Sequence, residues 1–286
     1  MKTKFVFVKF VLPFLLIIAS IGVPIIFFNP NSTVLGLNIL LKNEKEANSV
    51  VQILEGLNLK ATYLISLFAL ITLLNYLKKQ NSDKLFNSDS NIYYNFWYPC
   101  FWFASNVLGY KKIQLAGIPL YLQFKLVLRG TFPIIVPDIY EEHYDIPKKI
   151  KNKEQEIVSV SYITSSNSSG TQKSVNLIIS DTYYITDKEI DSEYINLPTI
   201  RVTSNFINNR RYLNNELVQK VRESIEEIKD KHYEEIYVYT TANPHNNLNI
   251  INSSFRFFGR FINAKIYIMQ KGKKRNSPYI EKKQII

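Results

Sequence analysis

Two kinds of apolar pattern divide the chain. Residues 10–28 (FVLPFLLIIASIGVPIIFF) and 61–77 (ATYLISLFALITLLNYL) are uncharged runs, each long enough or nearly so to cross about 30 Å of hydrocarbon as a helix. Beyond Lys78 the apolar residues occur in short periodic groups instead. Ile236 to Tyr239 (IYVY) predicts a buried strand, and Thr240 to Pro244 a polar turn. Leu248, Ile251, Phe255, Phe258 and Ile262 recur at helical spacing, with Asn252, Arg256 and Arg260 on another face. Asn243 suits the N-cap of that helix and Pro244 its first position, and Lys265 to Gln270 returns as a strand.

The same reading extends backward. It predicts strands at Ile157 to Thr164, Val175 to Ser180 and Thr199 to Thr203, and a helix from Asn214 to Asp230 buried along Leu217, Val221, Ile225 and Ile228. The first two strands flank SSNSSGTQK, which has the composition of a hairpin tip. Strand, helix and strand are also expected at Tyr110 to Ile118, Pro119 to Leu128 and Phe132 to Val136. This loose repeat of the C-terminal order suggests two Rossmann-like halves. Asn91 to Leu108 is crowded with aromatics and suits either a membrane interface or a core helix. The tail from Lys271 to Lys283 is basic and expected to fray.

The predicted fold class is therefore two N-terminal transmembrane helices plus a C-terminal α/β Rossmann-like cytoplasmic domain. Residues 1–78 form the membrane region with an external loop at 29–60, residues 79–90 a linker, and residues 91–286 the cytoplasmic domain. The first run is longer than a usual signal core, is interrupted by prolines and lacks a convincing cleavage site, which favours a span over a secretory signal peptide. Lys2, Lys4 and Lys9 before the first span and Lys78, Lys79 and Lys84 after the second place both termini in the cytoplasm of a cell with the spans in its inner membrane. In the loop, residues 34–40 and 50–59 are amphipathic enough for short helices on the membrane surface or against a partner chain.

Charge narrows the partners. The net charge is +11, most of it carried from Lys78 onward, which favours anionic headgroups, nucleic acid or a phosphorylated small molecule. Cys100 is the sole cysteine, so neither an intrachain disulfide nor a cysteine-rich metal site exists.

Three predicted strand ends are rich in hydroxyl and amide groups: Ser180, Asp181 and Thr182; Ser204 and Asn205; and Thr240, Thr241 and Asn243. In an open α/β sheet the carboxyl ends of parallel strands line the ligand crevice, and a helix start offers free N–H groups to phosphate. His245 and Asn246 occupy the first turn of that helix, and Arg201, Arg210 and Arg211 are within reach of the same edge. The plainer reading is that such residues terminate strands and cap helices. Arg256 and Arg260, four apart, suit a phosphate clamp, a subunit contact or a solvated face. No Walker motif, GxGxxG, HExxH or GxSxG occurs, and His143, His232 and His245 are the only histidines. Neither a catalytic set nor a metal site is predicted. The enzymatic alternative, a membrane-bound nucleotide- or nucleoside-processing enzyme, would use Asp181 or His245 as acid or base, with Asp187 as a partner for an acid pair. A third reading is an assembly protein whose basic domain touches lipid.

The stretches EEIYVYTTANPHNNLNII and FGRFINAKIYIMQKG, below two spans and a linker, resemble the transmembrane SAVED effectors of bacterial CBASS anti-phage defence, whose sensor domains are related to paired CARF domains. The resemblance covers about residues 174–274 and departs in size, since the part after the linker is short for a full SAVED domain. It implies a cyclic oligonucleotide ligand made by a partner nucleotidyltransferase, no other cofactor, head-to-tail homo-oligomers, and membrane disruption by clustered spans, with no DNA or RNA partner. Carried onto this chain, it implies a pocket of Thr240, Thr241 and Asn243, with Ser180 and Thr182.

Overall fold

The strands expected at 175–180, 199–203, 236–239 and 265–270 and the helix at 214–230 are found where the periods predict them. The computed structural model describes residues 2–27, 38–39, 41–56, 61–89, 91–140, 144–146, 157–163, 173–205, 211–256, 264–272 and 277–285. Arg210, Arg260, Phe258, Ile262, His143, the tip at 164–172 and most of 34–40 lie outside them. Two compact units result: residues 1–92 with 99–112, and residues 93–98 with 113–286.

In the first unit, helix α1 (Lys2–Phe27) is 26 residues long, and among the described residues it is the one helix long and apolar enough to cross a membrane. Helix α2 (Glu44–Gly56) follows, then α3 (Ala61–Asn81). Helix α3 packs on α1, where the Ser66 hydroxyl donates to the Ile21 carbonyl at 3.0 Å. Ala47 of α2 buries against Ile65 of α3, with Val50, Val51 and Leu64 around them. A short helix, α4 (Tyr98–Asn106), takes up the aromatic segment and buries Phe101 and Ala104, while Trp97 and Trp102 stay exposed.

An aromatic collar closes the base of both long helices. The buried Phe86 ring makes edge-to-face contacts with Phe5, Phe10, Phe101 and Tyr110 at centroid distances of 5.3–5.9 Å. Lys9 lies in a single π turn of α1 (Phe7–Val11) and donates to the Tyr110 hydroxyl at 2.8 Å. Asn81 at the end of α3 donates to the Leu108 carbonyl at 2.9 Å. Gly109 completes the fit: its φ is +81°, and a Cβ there would come within 2.5 Å of the Lys78 Cα.

In the second unit, strands β1 (Lys112–Gln114, its first residue shared with the first unit) and β2 (Ile134–Val136) form a two-stranded sheet, joined by helix α5 (Leu120–Leu128). The main sheet has six strands: β3 (Val158–Ile163), β4 (Ser174–Ser180), β5 (Thr199–Ser204), β6 (Glu235–Thr240), β7 (Lys265–Lys271) and β8 (Tyr279–Gln284). Their order is β3-β5-β4-β6-β7-β8, with β5, β4, β6 and β7 parallel and the two outer strands antiparallel to their neighbours. Helix α6 (Asn215–Asp230) links β5 to β6. Helix α7 (Pro244–Ile250), extended by a π turn (Ile251–Phe255), follows β6.

One face of this sheet holds an aliphatic core. Val175, Leu177, Ile179, Ile236, Val238, Ile266 and Ile268 meet Leu217, Val221, Ile225 and Ile228 of α6, Ile250, Ile251 and Phe255 beyond β6, and Phe124 of α5. The opposite face is covered by an irregular strap, residues 181–198, through Ile185, Ile190 and Tyr194.

Three expectations change. Residues 110–136 do not make a second Rossmann half with a large sheet of its own: their strands are three residues each, and α5 packs into the core of the six-stranded sheet. β3 and β4 are not a hairpin, because β5 lies between them. The β4 sequence VNLIIS is buried along its length, as an interior strand must be, whereas β3 runs from buried Val158 to exposed Ser161, Tyr162 and Ile163 at the edge. The described part of the tail does not fray: Tyr279 and Ile285 are buried, and β8 closes the sheet as an edge strand carrying Glu281, Lys282 and Lys283, charges that commonly protect against edge pairing.

Candidate functional site

Parallel pairing brings the three hydroxyl- and amide-rich exits together. Ser180 lies opposite Thr203 and Ile179 opposite Thr240, so the ends of β4, β5 and β6 share one sheet edge. Each exit is short because its polar residues turn the chain at once. Asn243 caps α7 by accepting from the N–H groups of His245 (3.1 Å) and Asn246 (3.0 Å), with Pro244 at the first position. Asn214 caps α6 through the Leu217 N–H at 3.0 Å.

The side chains at this edge bond to one another. The Asp181 carboxylate, at its Oδ2, accepts from the Asn243 N–H (3.1 Å), the Asn243 amide (3.1 Å) and the Asn246 amide (2.9 Å). Both amides also donate to the Tyr212 carbonyl at 2.8 Å. Asn246 Oδ1 accepts from the Asn214 N–H, and the Asn214 amide donates to Ser204 Oγ at 3.3 Å. The Thr241 hydroxyl accepts from the Asp181 N–H (2.9 Å) and donates to the Tyr183 carbonyl (2.8 Å). Thr182 Oγ1 donates to the Thr241 carbonyl at 2.7 Å. One connected network therefore ties β4, β5, β6, α6 and α7, and its side chains are buried except for the half-buried Thr182.

Burial raises the Asp181 carboxyl above its ordinary value, an effect the Asn246 amide and the Asn243 N–H oppose. Asp181 and Asp187 do not form an acid pair: Asp181 is held by asparagines, while Asp187 receives Arg201.

The other predicted residues take separate places. Ser180 accepts the Ile185 N–H, and Thr240 accepts the Ala242 N–H. Buried Arg201 points to the strap, donating to the Ile185 carbonyl and to Asp187. Arg211 pairs with Asp138 at 2.8 Å and reaches the Tyr144 hydroxyl at 3.1 Å. His245 Nε2 meets the Asn249 amide at 3.0 Å. His232, at φ +57°, ends α6. Among the described residues no cluster of His, Cys, Asp or Glu suits a metal. An open groove of about 800 Å³ lies between α6 and α7, lined in part by Gln219, Arg222, Glu223 and Asn249. Its lining carries two carboxylates, Glu223 and Glu226, against one arginine, Arg222, so it offers an anion little.

Residues 1–286 match the SMODS- and Ubiquitin system-associated 2TM effector domain. The chain belongs to that family. The match spans both units and bears out the resemblance to a transmembrane effector. No curated protein matches the sequence. Among solved structures, the fold is similar to the Acinetobacter baumannii Cap4 SAVED/CARF-domain containing receptor with the cyclic trinucleotide 3'3'3'-cAAA, at 12% identity and a TM-score of 0.43 over 65% of this chain and 41% of that one. The same receptor with 2'3'3'-cAAA gives 12% and 0.42 over 64% and 40%. The chain thus spans about two-fifths of those structures.

Sequence reasoning missed Asn214, the hinge of the network between Ser204 and Asn246, and Tyr184 on the strap. The signal for Asn214 was present as a helix cap. Nothing in its local pattern says that it also bonds across the sheet edge.

Proposed function

We propose that this family member is a membrane effector without catalytic chemistry, anchored by α1 and α3 as two spans with both termini cytoplasmic. Its α/β unit binds a cyclic oligonucleotide supplied by a partner nucleotidyltransferase. Binding favours a homo-oligomer, and clustering of the spans disrupts the inner membrane in anti-phage defence. The observation that carries this reading is the shared edge formed by the exits of β4, β5 and β6 in a chain of the 2TM effector family. Ser180, Asp181, Thr182, Ser204, Thr240, Thr241, Asn243, His245 and Asn246 belong to that edge, with Arg201 and Arg211 beside it.

In the state described here the edge is closed on itself, so binding is coupled to exchange of bonds. Phosphate oxygens take donors now given to Asp181 and to the Tyr212 carbonyl. A ligand moves the closed and open populations only by its difference in affinity for the two. The Asn243 and Asn246 amides, released from β4, supply that difference.

The test uses the full chain in liposomes loaded with a self-quenching dye, titrated with cyclic di- and trinucleotides, with calorimetry in parallel. Binding accompanied by dye release is expected. Thr182→Val removes one half-buried hydroxyl and its bond to the Thr241 carbonyl with little change of volume, and weaker binding with a thermal midpoint lowered by the equivalent of about 1 kcal/mol is expected of it. Release of dye with no nucleotide dependence would overturn sensing. Nucleotide turnover would favour the enzymatic reading.

A further inference from the structure

Tyr183 and Tyr184 immediately follow the β4 exit, and neither joins the core under the strap, although their neighbour Ile185 does. They keep 41% and 48% of their surface in solvent. Their main chain is nevertheless fixed on both sides. The Thr241 hydroxyl donates to the Tyr183 carbonyl, the Ile185 N–H donates to Ser180, and Arg201 donates to the Ile185 carbonyl. Two exposed rings on a fixed backbone lose little freedom on binding.

Each ring also has a cation at hand. Lys271 Nζ lies 5.2 Å from the Tyr183 ring centroid, and the Arg201 guanidinium 5.0 Å from that of Tyr184. Tyr183 turns toward β8, its hydroxyl 3.4 Å from that of Tyr279, whereas Tyr184 lies on the β5 side with Arg201. Both cations have carboxylate partners, Glu189 and Asp187, and the Asp187 side chain is 65% exposed. The solvated Asp187 holds Arg201 weakly and yields to a phosphate, whereas Glu189, 28% exposed and also bonded by Thr186, holds Lys271 more firmly. Aromatic faces beside cations are the combination that single-stranded nucleic acids use, with bases on the rings and backbone phosphates on the charges.

We propose that Tyr183 and Tyr184 are the base-stacking residues of the strand-exit site, one on either side of the β4 exit, so that the site takes a ligand with at least two bases. This rests on the nucleotide-sensing reading above. Stacking is tolerant of base identity, so these rings contribute affinity and ligand size, and the base is selected elsewhere.

The test measures calorimetric binding of cyclic di- and trinucleotides of adenine, guanine and uracil, and of tripolyphosphate, to the full chain in detergent. Tyr183→Ala and Tyr184→Ala are each expected to weaken cyclic oligonucleotide binding roughly tenfold or more, while Phe at either position restores it. Tripolyphosphate, which has charge and no base, should bind the variants as it binds the wild type. Both rings are about half-exposed and lie outside the core under the strap, so thermal midpoints should change little and report intact folding. Equal affinity of wild type and both alanine variants would overturn the stacking role and leave nucleotide sensing standing. Failure of the wild type to bind any of the cyclic nucleotides would overturn both.

Discussion

The two faces of the central sheet are made by the same strands and are built on opposite principles. On β6, Ile236 and Val238 face helices α6 and α7, while Tyr237 and Tyr239 face the strap. The helix face is aliphatic and is held by packing. The strap face carries Asn176, Tyr194, Arg201 and a tyrosine row, and it is held by directed contacts. Asn176 donates to the Tyr194 carbonyl at 2.7 Å, Arg201 holds Ile185 and Asp187, and Lys271 meets Glu189 at 2.5 Å. Tyr194, Tyr237 and Tyr267 succeed one another at 4.6 and 5.2 Å, with the Lys282 ammonium within 5.9 Å of all three rings and Glu235 accepting from two of the hydroxyls. Burial raises the hydroxyls of Tyr194, Tyr237 and Tyr267 above the ordinary phenol value, that of Tyr194 to about 12. Packing without direction gives the helix face its stability. Directed bonds can be exchanged one at a time, which suits the face whose cover leads out of the β4 exit.

The largest effect that separates the faces is expected from Phe255→Ala. Phe255 is fully buried under the helices and edge-on to Phe124 at 5.3 Å. Its truncation leaves a cavity and should cost about 3–5 kcal/mol, read as a lower urea midpoint of the full chain in detergent. Arg201→Met should cost less, about 1.5–3 kcal/mol for the lost charged hydrogen bonds. Its signature is local: amide hydrogen exchange should accelerate from Ile185 to Tyr194 while α6 keeps its protection. Loss of protection across both faces together would show that the strap is not a separate cooperative layer.

That contrast also explains what could be read from the chain. The helix face declared itself through period: Leu217, Val221, Ile225 and Ile228 at helical spacing, and Val175 to Ser180 as an apolar strand. Asn243 and Pro244 were legible because a cap and a first-turn proline are local chemistry. The strap, DTYYITDKEIDSEYINLP, has no period, and its place depends on Arg201 and Asn176 from distant strands. The order of β3, β5 and β4 was hidden for a similar reason, since a polar tip between two strands looks like a hairpin whether or not a third strand enters between them. At the candidate site the residue types were legible and their partners were not. The same hydroxyls and amides serve a ligand or one another, and only Asp181, buried in their midst, shows that here they serve one another.

Asp181→Asn probes the edge where the two faces meet. The folded carboxyl sits above its ordinary value of 3.8 because burial disfavours its charge. The ionised form therefore opposes folding above the folded value, and the wild type gains stability as pH falls from there toward 3.8. An amide oxygen can still accept from Asn243 and Asn246 without carrying charge. The variant should be slightly more stable at neutral pH, by less than about 1 kcal/mol, and this advantage should shrink on acidification. An advantage that grew as pH fell would mean that the three donors outweigh burial and that Asp181 is held by its charge. Asp181→Ala, which orphans those donors, should be destabilising at every pH.

An equally small expected change is the most specific to the strap face. Tyr239 is fully buried, its ring edge-on to Tyr279 at 5.5 Å, and its hydroxyl has no hydrogen-bond partner among the described residues. Burial pushes that hydroxyl well above the usual phenol range. An unpaired buried hydroxyl lost its bonds to water on folding and gained none, so Tyr239→Phe keeps the ring contact and removes the penalty. A rise in the thermal midpoint equivalent to about 1 kcal/mol or less is expected, whereas Tyr237→Phe, which gives up a 2.8 Å bond to Glu235, should lower it. If Tyr239→Phe were instead destabilising, the hydroxyl would have a partner in solution, and the strap face would contain a bonded group at its centre where it now shows an unpaired one.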